Sequence, residues 1–176
     1  LNSNLSGADL GGLNLKGVIF TRANLSNANL KDTNMSQTFG IYANFENTNL
    51  DGSNLESANL TGANLNNSNL ENANLSKIEA AKASFEDSNL KKVKLVGANL
   101  KGVILEDANL NEASLVGAKL ENANLTRIEA AKANFEDADL NLAKLIGANL
   151  KGVNLENANL IGANLESANL GGANLK

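Results

Sequence analysis

No cysteine and no histidine occurs anywhere in the 176 residues. Without cysteine the chain has no disulfide framework and no thiolate metal site, and its redox compartment cannot be read from it. The two absences together remove the usual general bases and the partners that activate nucleophiles, leaving carboxylates as the only such chemistry and pointing away from an enzyme. Aromatic residues make up 3% of the chain, so the 43% apolar content is nearly all Leu and Ala. No apolar run approaches the roughly 18 residues needed to span a bilayer, and no charged-then-apolar signal segment opens the chain. The chain starts at Leu1 without Met, which leaves a removed leader open. A net charge of −4 and a pI near 4.9 argue against a general nucleic-acid binder, because such domains are usually basic. Acidity of this size mainly supports solubility. The expectation is a soluble protein, cytoplasmic by default, without cofactor, metal or membrane partner.

What is present is a period of five. The 35 positions from residue 5 to residue 175 in steps of five hold 27 Leu, four Phe (Phe20, Phe45, Phe85, Phe135), one Met (Met35) and three small residues, Gly40, Ala80 and Ala130. Two residues before each stands a second column, with 21 Ala among its 35 positions and Ser, Thr, Val, Ile or Leu13 in the rest. Such repeats decide the architecture before any local propensity does.

Periodicity excludes the simple elements. An α-helix turns about 100° per residue, so five residues advance about 140° and the Leu column would smear around the cylinder. A long strand alternates with period two, so an odd repeat would send successive leucines to opposite faces. A chain that bends once per repeat survives. Within Ala108-Asn109-Leu110 the Ala and Leu point inward, Asn109 points outward, and the next two residues make the corner. Of the 15 glycines, 12 fall at the second residue after the central one, where a turn can demand positive φ. Asn takes several more of these places.

Units such as Ala58-Asn59-Leu60-Thr61-Gly62 and Ala168-Asn169-Leu170-Gly171-Gly172 resemble the pentapeptide-repeat family, whose motif is Ala, then Asp or Asn, then Leu, then two variable residues. The resemblance covers essentially the whole chain, 1–176, as one solenoid domain. It implies an all-β fold, a right-handed quadrilateral parallel β-helix with twenty residues per coil and about nine coils, roughly 42 Å long at about 4.8 Å per coil. Charge pairing does not choose the cross-section. A spacing of 20 gives eight opposite-sign pairs, among them Lys31/Asp51, Lys92/Glu112 and Asp107/Arg127, against four like-sign pairs, while a spacing of 15 gives nine against six. The square section is what the resemblance implies.

The pattern breaks in three places, where Gly40, Ala80 and Ala130 are each followed five residues later by Phe45, Phe85 and Phe135. A ring can fill the volume its neighbour lacks; the competing reading is a small ligand cavity. Two of these sites lie in near-identical segments, Ile78-Glu79-Ala80-Ala81-Lys82-Ala83 and Ile128-Glu129-Ala130-Ala131-Lys132-Ala133, within an internal duplication that relates 77–125 to 127–175. Their Ala, Glu and Lys favour helix locally, yet they stay in phase, so they are expected to follow the coil without a projecting loop. A shift of 50 residues is two and a half coils on the four-sided plan, which places duplicated features on opposite sides.

Candidate interaction surfaces follow from what points outward. Exposed apolar residues cluster as Phe39-Gly40-Ile41-Tyr42, as Val96 beside Val116, and as Leu142 beside Ile161. Glu86 and Asp87 are expected directly below Glu106 and Asp107 on one side, and Glu136, Asp137 and Glu156 on the other. Clustered carboxylate oxygens suit a hard cation such as Ca2+, but a flat side without an enclosing loop favours a solvated surface. Lys91, Lys92 and Lys94 form a basic cluster with Glu71 and Glu112 one coil away on either side. The Asn-x-Ser/Thr sequons at Asn4, Asn24, Asn59 and Asn74 fall out of the repeat itself. The outward Asn column, including Asn29, Asn49, Asn69, Asn89 and Asn109, is expected to form side-chain ladders.

The functional reading is a non-catalytic structural or protein-interaction scaffold whose partner the sequence does not name. The alternative implied by the resemblance is a DNA-mimicking inhibitor or protector of a type II topoisomerase, DNA gyrase. Such relatives typically carry a C-terminal dimerisation helix, and some have protruding loops; this chain ends in repeat, and lysines interrupt its acids. Because both termini stop inside repeats, end-to-end self-association through uncapped coils is also expected.

Overall fold

The computed structural model describes residues 2–176, and over that span the corner recurs without a slip. In each repeat the N–H of the inward small residue donates to the carbonyl of the central residue three positions earlier, as in Ala58 to Leu55 (3.0 Å) and Ala108 to Leu105 (3.0 Å). The second residue of that turn lies at positive φ and the first does not, which is the type II pattern. Glycine supplies the conformation at twelve corners, Gly62 (φ 64°) among them. At the other corners the fold imposes it on Asn, Asp, Ser, Lys, Arg and even on Tyr42 (φ 56°) and Leu142 (φ 57°). The glycines are therefore a preference of the turn and not a requirement.

The register between coils is twenty residues. Parallel bridges join Asn4 to Asn24, Asn24 to Asn44, and so on up to Asn154 with Asn174. Four pentapeptides thus close one coil, and the column is four-sided. Each bridge is a single residue long because the chain turns again before a strand can extend. Between coils three N–H groups per repeat carry the ladder; around Leu105 these are Ile104 to Ala83 (3.0 Å), Leu105 to Asn124 (2.8 Å) and Asp107 to Thr126 (3.1 Å).

Inside, the two inward columns form one core. Leu25 to Leu155 are buried along the central column, as are Ala58, Ala108 and Ala148 along the other. Burial relaxes at both ends, where Leu5, Leu10, Leu160 and Leu165 are only partly covered. Thr33, Thr48 and Ser53 replace Ala in the buried column and remain satisfied, donating to the carbonyls of Leu30 (2.6 Å), Phe45 (2.7 Å) and Leu50 (2.7 Å). A buried hydroxyl without such a partner would cost free energy.

The Phe residues fill space as expected at the first break. A Cβ added to Gly40 would meet Leu60 Cδ2 at 2.6 Å and the Phe45 ring at 3.2 Å. Ala80 and Ala130 are likewise fully buried, and the interstices beside Phe135, Leu140 and Leu145 hold no water-sized space. The interior beside Phe135 therefore holds no ligand cavity, although the surface next to Ala130 carries an open hollow of about 320 Å³ lined by Lys91, Asn111, Glu112, Glu129, Ala131, Lys132 and Asn149. Ile78–Ala83 and Ile128–Ala133 keep the coil, with Glu79 bridging Asn59 and Asn99, and no loop projects.

Outward Asn side chains serve two bonds at once. The Oδ1 of Asn24 accepts the N–H of Ser26 two residues on (3.1 Å), stiffening the corner, and also the Nδ2 of Asn44 in the next coil (3.3 Å). One ladder runs from Asp9 through Asn29, Asn49, Asn69 and Asn89 to Asn109. At two of the places where Asn is missing, a neighbour substitutes. Ser84 and Glu129 leave the corner N–H groups of Glu86 and Ala131 to Asn66 (3.1 Å) and Asn111 (2.7 Å) of the coil before.

Leu105→Ala removes a fully enclosed side chain in mid-column, and urea unfolding should show a loss of about 2–5 kcal/mol. Asn89→Ala cuts the ladder on both sides and frees the Lys91 N–H; the same measurement should show a smaller loss, about 1 kcal/mol.

Candidate interaction surface

Several turn side chains at positive φ lean along the column onto the next coil, and where the residue there is glycine they fill the space its side chain would take. A Cβ on Gly62 would collide with the Tyr42 ring, and one on Gly162 would approach Leu142 Cδ2 at 2.7 Å. Gly147 and Gly152 similarly lie beside the stems of Arg127 and Lys132. Stacking of this kind turns each corner into a continuous edge of side chains twenty residues apart.

The apolar candidates divide on exposure. Phe39 (48%), Tyr42 (60%), Val96 (40%), Leu142 (53%) and Ile161 (72%) are exposed. Ile41 and Val116 are not, contrary to expectation; both are half-buried. They occupy the first turn position between two flanking coils, Val116 between Val96 and Glu136; Val96 holds the same position beside the small Ser76 and stays exposed. Leu142 and Ile161 do meet, with the Leu142 N–H donating to the Ile161 carbonyl (2.9 Å). The sequence reading missed Ile19, which is 62% exposed and bridges Phe39 from the coil before. The signal was available, because Ile19 and Phe39 stand in the outward column where Asn is the rule.

The acidic group assembles only in part. Glu86 and Asp87 lie one coil from Glu106 and Asp107, with the Asp87 N–H donating to the Glu106 carbonyl (3.1 Å). Arg127 clamps the upper pair, its Nε on Asp107 Oδ1 (2.8 Å) and its Nη2 on Asp107 Oδ2 (2.6 Å) and Glu106 Oε1 (2.7 Å). A guanidinium already occupies the position a cation would take. Among the described residues, no group of three or more acidic side chains is arranged to hold a metal ion.

Other charge pairs at the twenty-residue spacing form as rungs: Lys31–Asp51 (2.9 Å), Lys101–Glu121 (2.7 Å) and, loosely, Lys92–Glu112 (4.0 Å). Glu71 does not neutralise Lys91; its Oε2 accepts from Asn89 instead (3.3 Å). The hydrogen bond from Arg127 holds Asp107 below the usual carboxylate range, and that from Lys31 does the same for Asp51, assisted by Asn72. Lys101 is raised by its hydrogen bond to Glu121. Among the described residues no helix is long and apolar enough to cross a membrane.

Comparison with known proteins agrees with this geometry. The Pentapeptide repeats family matches residues 2–38 and 138–176 in eight copies, and a Pentapeptide repeat region matches 58–135. The chain belongs to the pentapeptide-repeat family, and its fold is the right-handed quadrilateral β-helix of that family. Among solved structures it is similar to HetL, a pentapeptide repeat protein involved in heterocyst differentiation regulation from the cyanobacterium Nostoc sp. strain PCC 7120. That match has 30% identity, covers 99% of this chain and 88% of HetL, and has a TM-score of 0.60. It also resembles in fold QnrB1, a plasmid-mediated fluoroquinolone resistance protein, at 14% identity over 90% of this chain and 86% of that one, with a TM-score of 0.61. No curated protein matches the sequence.

Depressed carboxylates stabilise the fold above their ordinary pKa, and that contribution is lost as pH falls through the depressed value. In a carboxyl-resolved NMR titration Asp107 and Asp51 should therefore protonate after most other acids. Arg127→Ala should return Asp107, and not Asp51, toward the ordinary range. Gly62→Ala should displace the Tyr42 ring and destabilise more than Gly117→Ala, which shares the positive φ but has nothing within 4 Å of its added Cβ; thermal unfolding of the two variants checks this.

Proposed function

We propose that the chain acts as a non-catalytic protein-interaction scaffold, a rigid column of about nine coils that presents side chains at fixed spacing. The observation that carries this reading is the phase-locked surface. Turn side chains such as Tyr42, Arg127, Lys132 and Leu142 are held over the residue twenty positions on, while exposed apolar residues such as Phe39, Tyr42, Leu142 and Ile161 remain uncovered. A partner would gain most by covering the places where such residues adjoin, as Ile19 with Phe39 and Leu142 with Ile161 do. HetL, involved in regulating differentiation, supplies a relative of the same length class whose role is regulatory.

The duplex-mimic reading finds less support. The carboxylates that would form an anionic track are interrupted by Arg127, which consumes Glu106 and Asp107. The likeness to QnrB1 concerns the fold.

A proteome-scale pulldown with charge-reversal variants made one edge at a time should yield a partner lost with a single edge. Each variant should keep the β-type circular dichroism of the parent. Partners that survive every surface change would sink the scaffold reading.

A further inference from the structure

The four edges of the column differ in what they collect. The turns following Phe20, Gly40, Leu60 and onward to Leu160 stack into one edge, here called the Tyr42 edge. Its charged residues are Arg22, Lys82, Lys101 and Glu121, a net charge of +2 within a chain of −4. The next edge around the coil carries Glu46, Glu86, Asp87, Glu106, Asp107 and Glu166 against Arg127, a net charge of −5. On the Tyr42 edge Lys101 is paired with Glu121, whereas Arg22 and Lys82 have no carboxylate within ion-pair distance among the described residues.

The same edge holds an anomaly of conformation. Positive φ recurs at every corner, and the residues there are Gly, Asn, Asp, Ser, Gln, Glu, Lys or Arg with two exceptions. The exceptions are Tyr42 and Leu142, bulky apolar residues that rarely adopt this backbone state. Both lie on this edge, both are exposed, and both lean over a glycine in the following coil. Such outliers persist where something other than local preference keeps them. They stand five whole coils apart, about 24 Å at about 4.8 Å per coil. Between them Gly62 and Gly102 carry no side chain at the positive-φ position, while Lys82 and the Lys101–Glu121 pair stand within the span.

We infer that the Tyr42 edge is a docking ridge for an acidic, α-helical segment of a partner protein, with one apolar side chain seated at Tyr42 and a second at Leu142 and Ile161. This rests on the scaffold reading and names the partner's chemistry. Charge selects an acidic segment, since Arg22 and Lys82 are unpaired cations beside an edge that would repel any anion straying from the ridge. Spacing selects the anchors, because a helix rising about 1.5 Å per residue places side chains about 16 residues apart across 24 Å. Strand addition is excluded by the backbone. Along the ridge the Tyr42, Lys82 and Leu142 N–H groups already donate to Thr61, Lys101 and Ile161, each within 3.0 Å, leaving no row of donors for an added strand.

The test places a photo-crosslinking amino acid, p-benzoylphenylalanine, at Tyr42, at Leu142 or, as a control on the acidic edge, at Glu86, in the full chain in its source cells. All three sites are exposed or half-exposed turns, so folding is checked by circular dichroism and thermal midpoint. The expected result is that the Tyr42 and Leu142 probes capture one polypeptide, at sites about 16 residues apart in a segment rich in Asp and Glu. Arg22→Glu with Lys82→Glu should cut that yield at least about tenfold, the size expected when two steering cations become anions. Capture of nucleic acid, lipid or a second copy of this chain, of two unrelated proteins, or of a basic segment would overturn the inference. Specific protein capture from Glu86 alone would overturn it while leaving the scaffold reading intact. Absence of capture from all three sites, with no edge-dependent partner in the pulldown, would remove both.

Discussion

The structure depends on one turn. A hydrogen bond from the inward Ala to the central carbonyl three residues earlier, made possible by positive φ at the residue between, reverses the chain's heading by a quarter of the coil each time. Every other feature inherits from it. The turn keeps the two inward columns facing the axis, sets the register at twenty, and brings three backbone N–H groups per repeat into line with carbonyls of the adjoining coils, one in the coil before and two in the coil after. The energetic return comes from burial, since each closed coil encloses four central side chains and their four small neighbours. The turn itself costs something at non-glycine corners, and the core offsets that cost.

That ordering explains why the positive-φ position tolerates so many residue types. Twelve corners take the easy route through glycine, and the remainder accept a strained Lys, Arg, Tyr or Leu because unwinding one corner would expose a whole ring of core. Asn in the outward column then stiffens the corner from outside by accepting the N–H two residues on. Surface identity is thereby decoupled from fold. The outward and turn positions can carry almost any chemistry while the inward columns hold the architecture.

Much of the fold was legible in the residues because the inward columns are restricted in kind: chiefly Leu, Phe or Met at the centre, and two before it Ala, a small polar residue or another aliphatic one. The cross-section was not legible from charge. Only four of the eight opposite-sign pairs at a spacing of twenty form ion pairs, and Glu71 turns to Asn89 instead of Lys91. Long exposed side chains have several partners within reach, so sequence spacing alone cannot say which they choose. Exposure at the surface was half legible. Phe39, Tyr42 and Leu142 stood out as apolar residues in polar columns, whereas the shielding of Ile41 and Val116 depends on coils twenty residues away. Ile19 was missed although its column gave the clue.

A register of twenty also governs how such a chain can change length. Losing or gaining five residues keeps every leucine inside but carries all later surface residues onto the adjoining side; only whole multiples of twenty leave the sides aligned. The similar segments 77–125 and 127–175 are offset by 50 residues, two and a half coils, so their matching surface positions lie half-way around the column from one another. A gain or loss of whole pentapeptides therefore acts on this fold as a rotary shuffle, sparing the interior while dealing the exterior a new arrangement of neighbours.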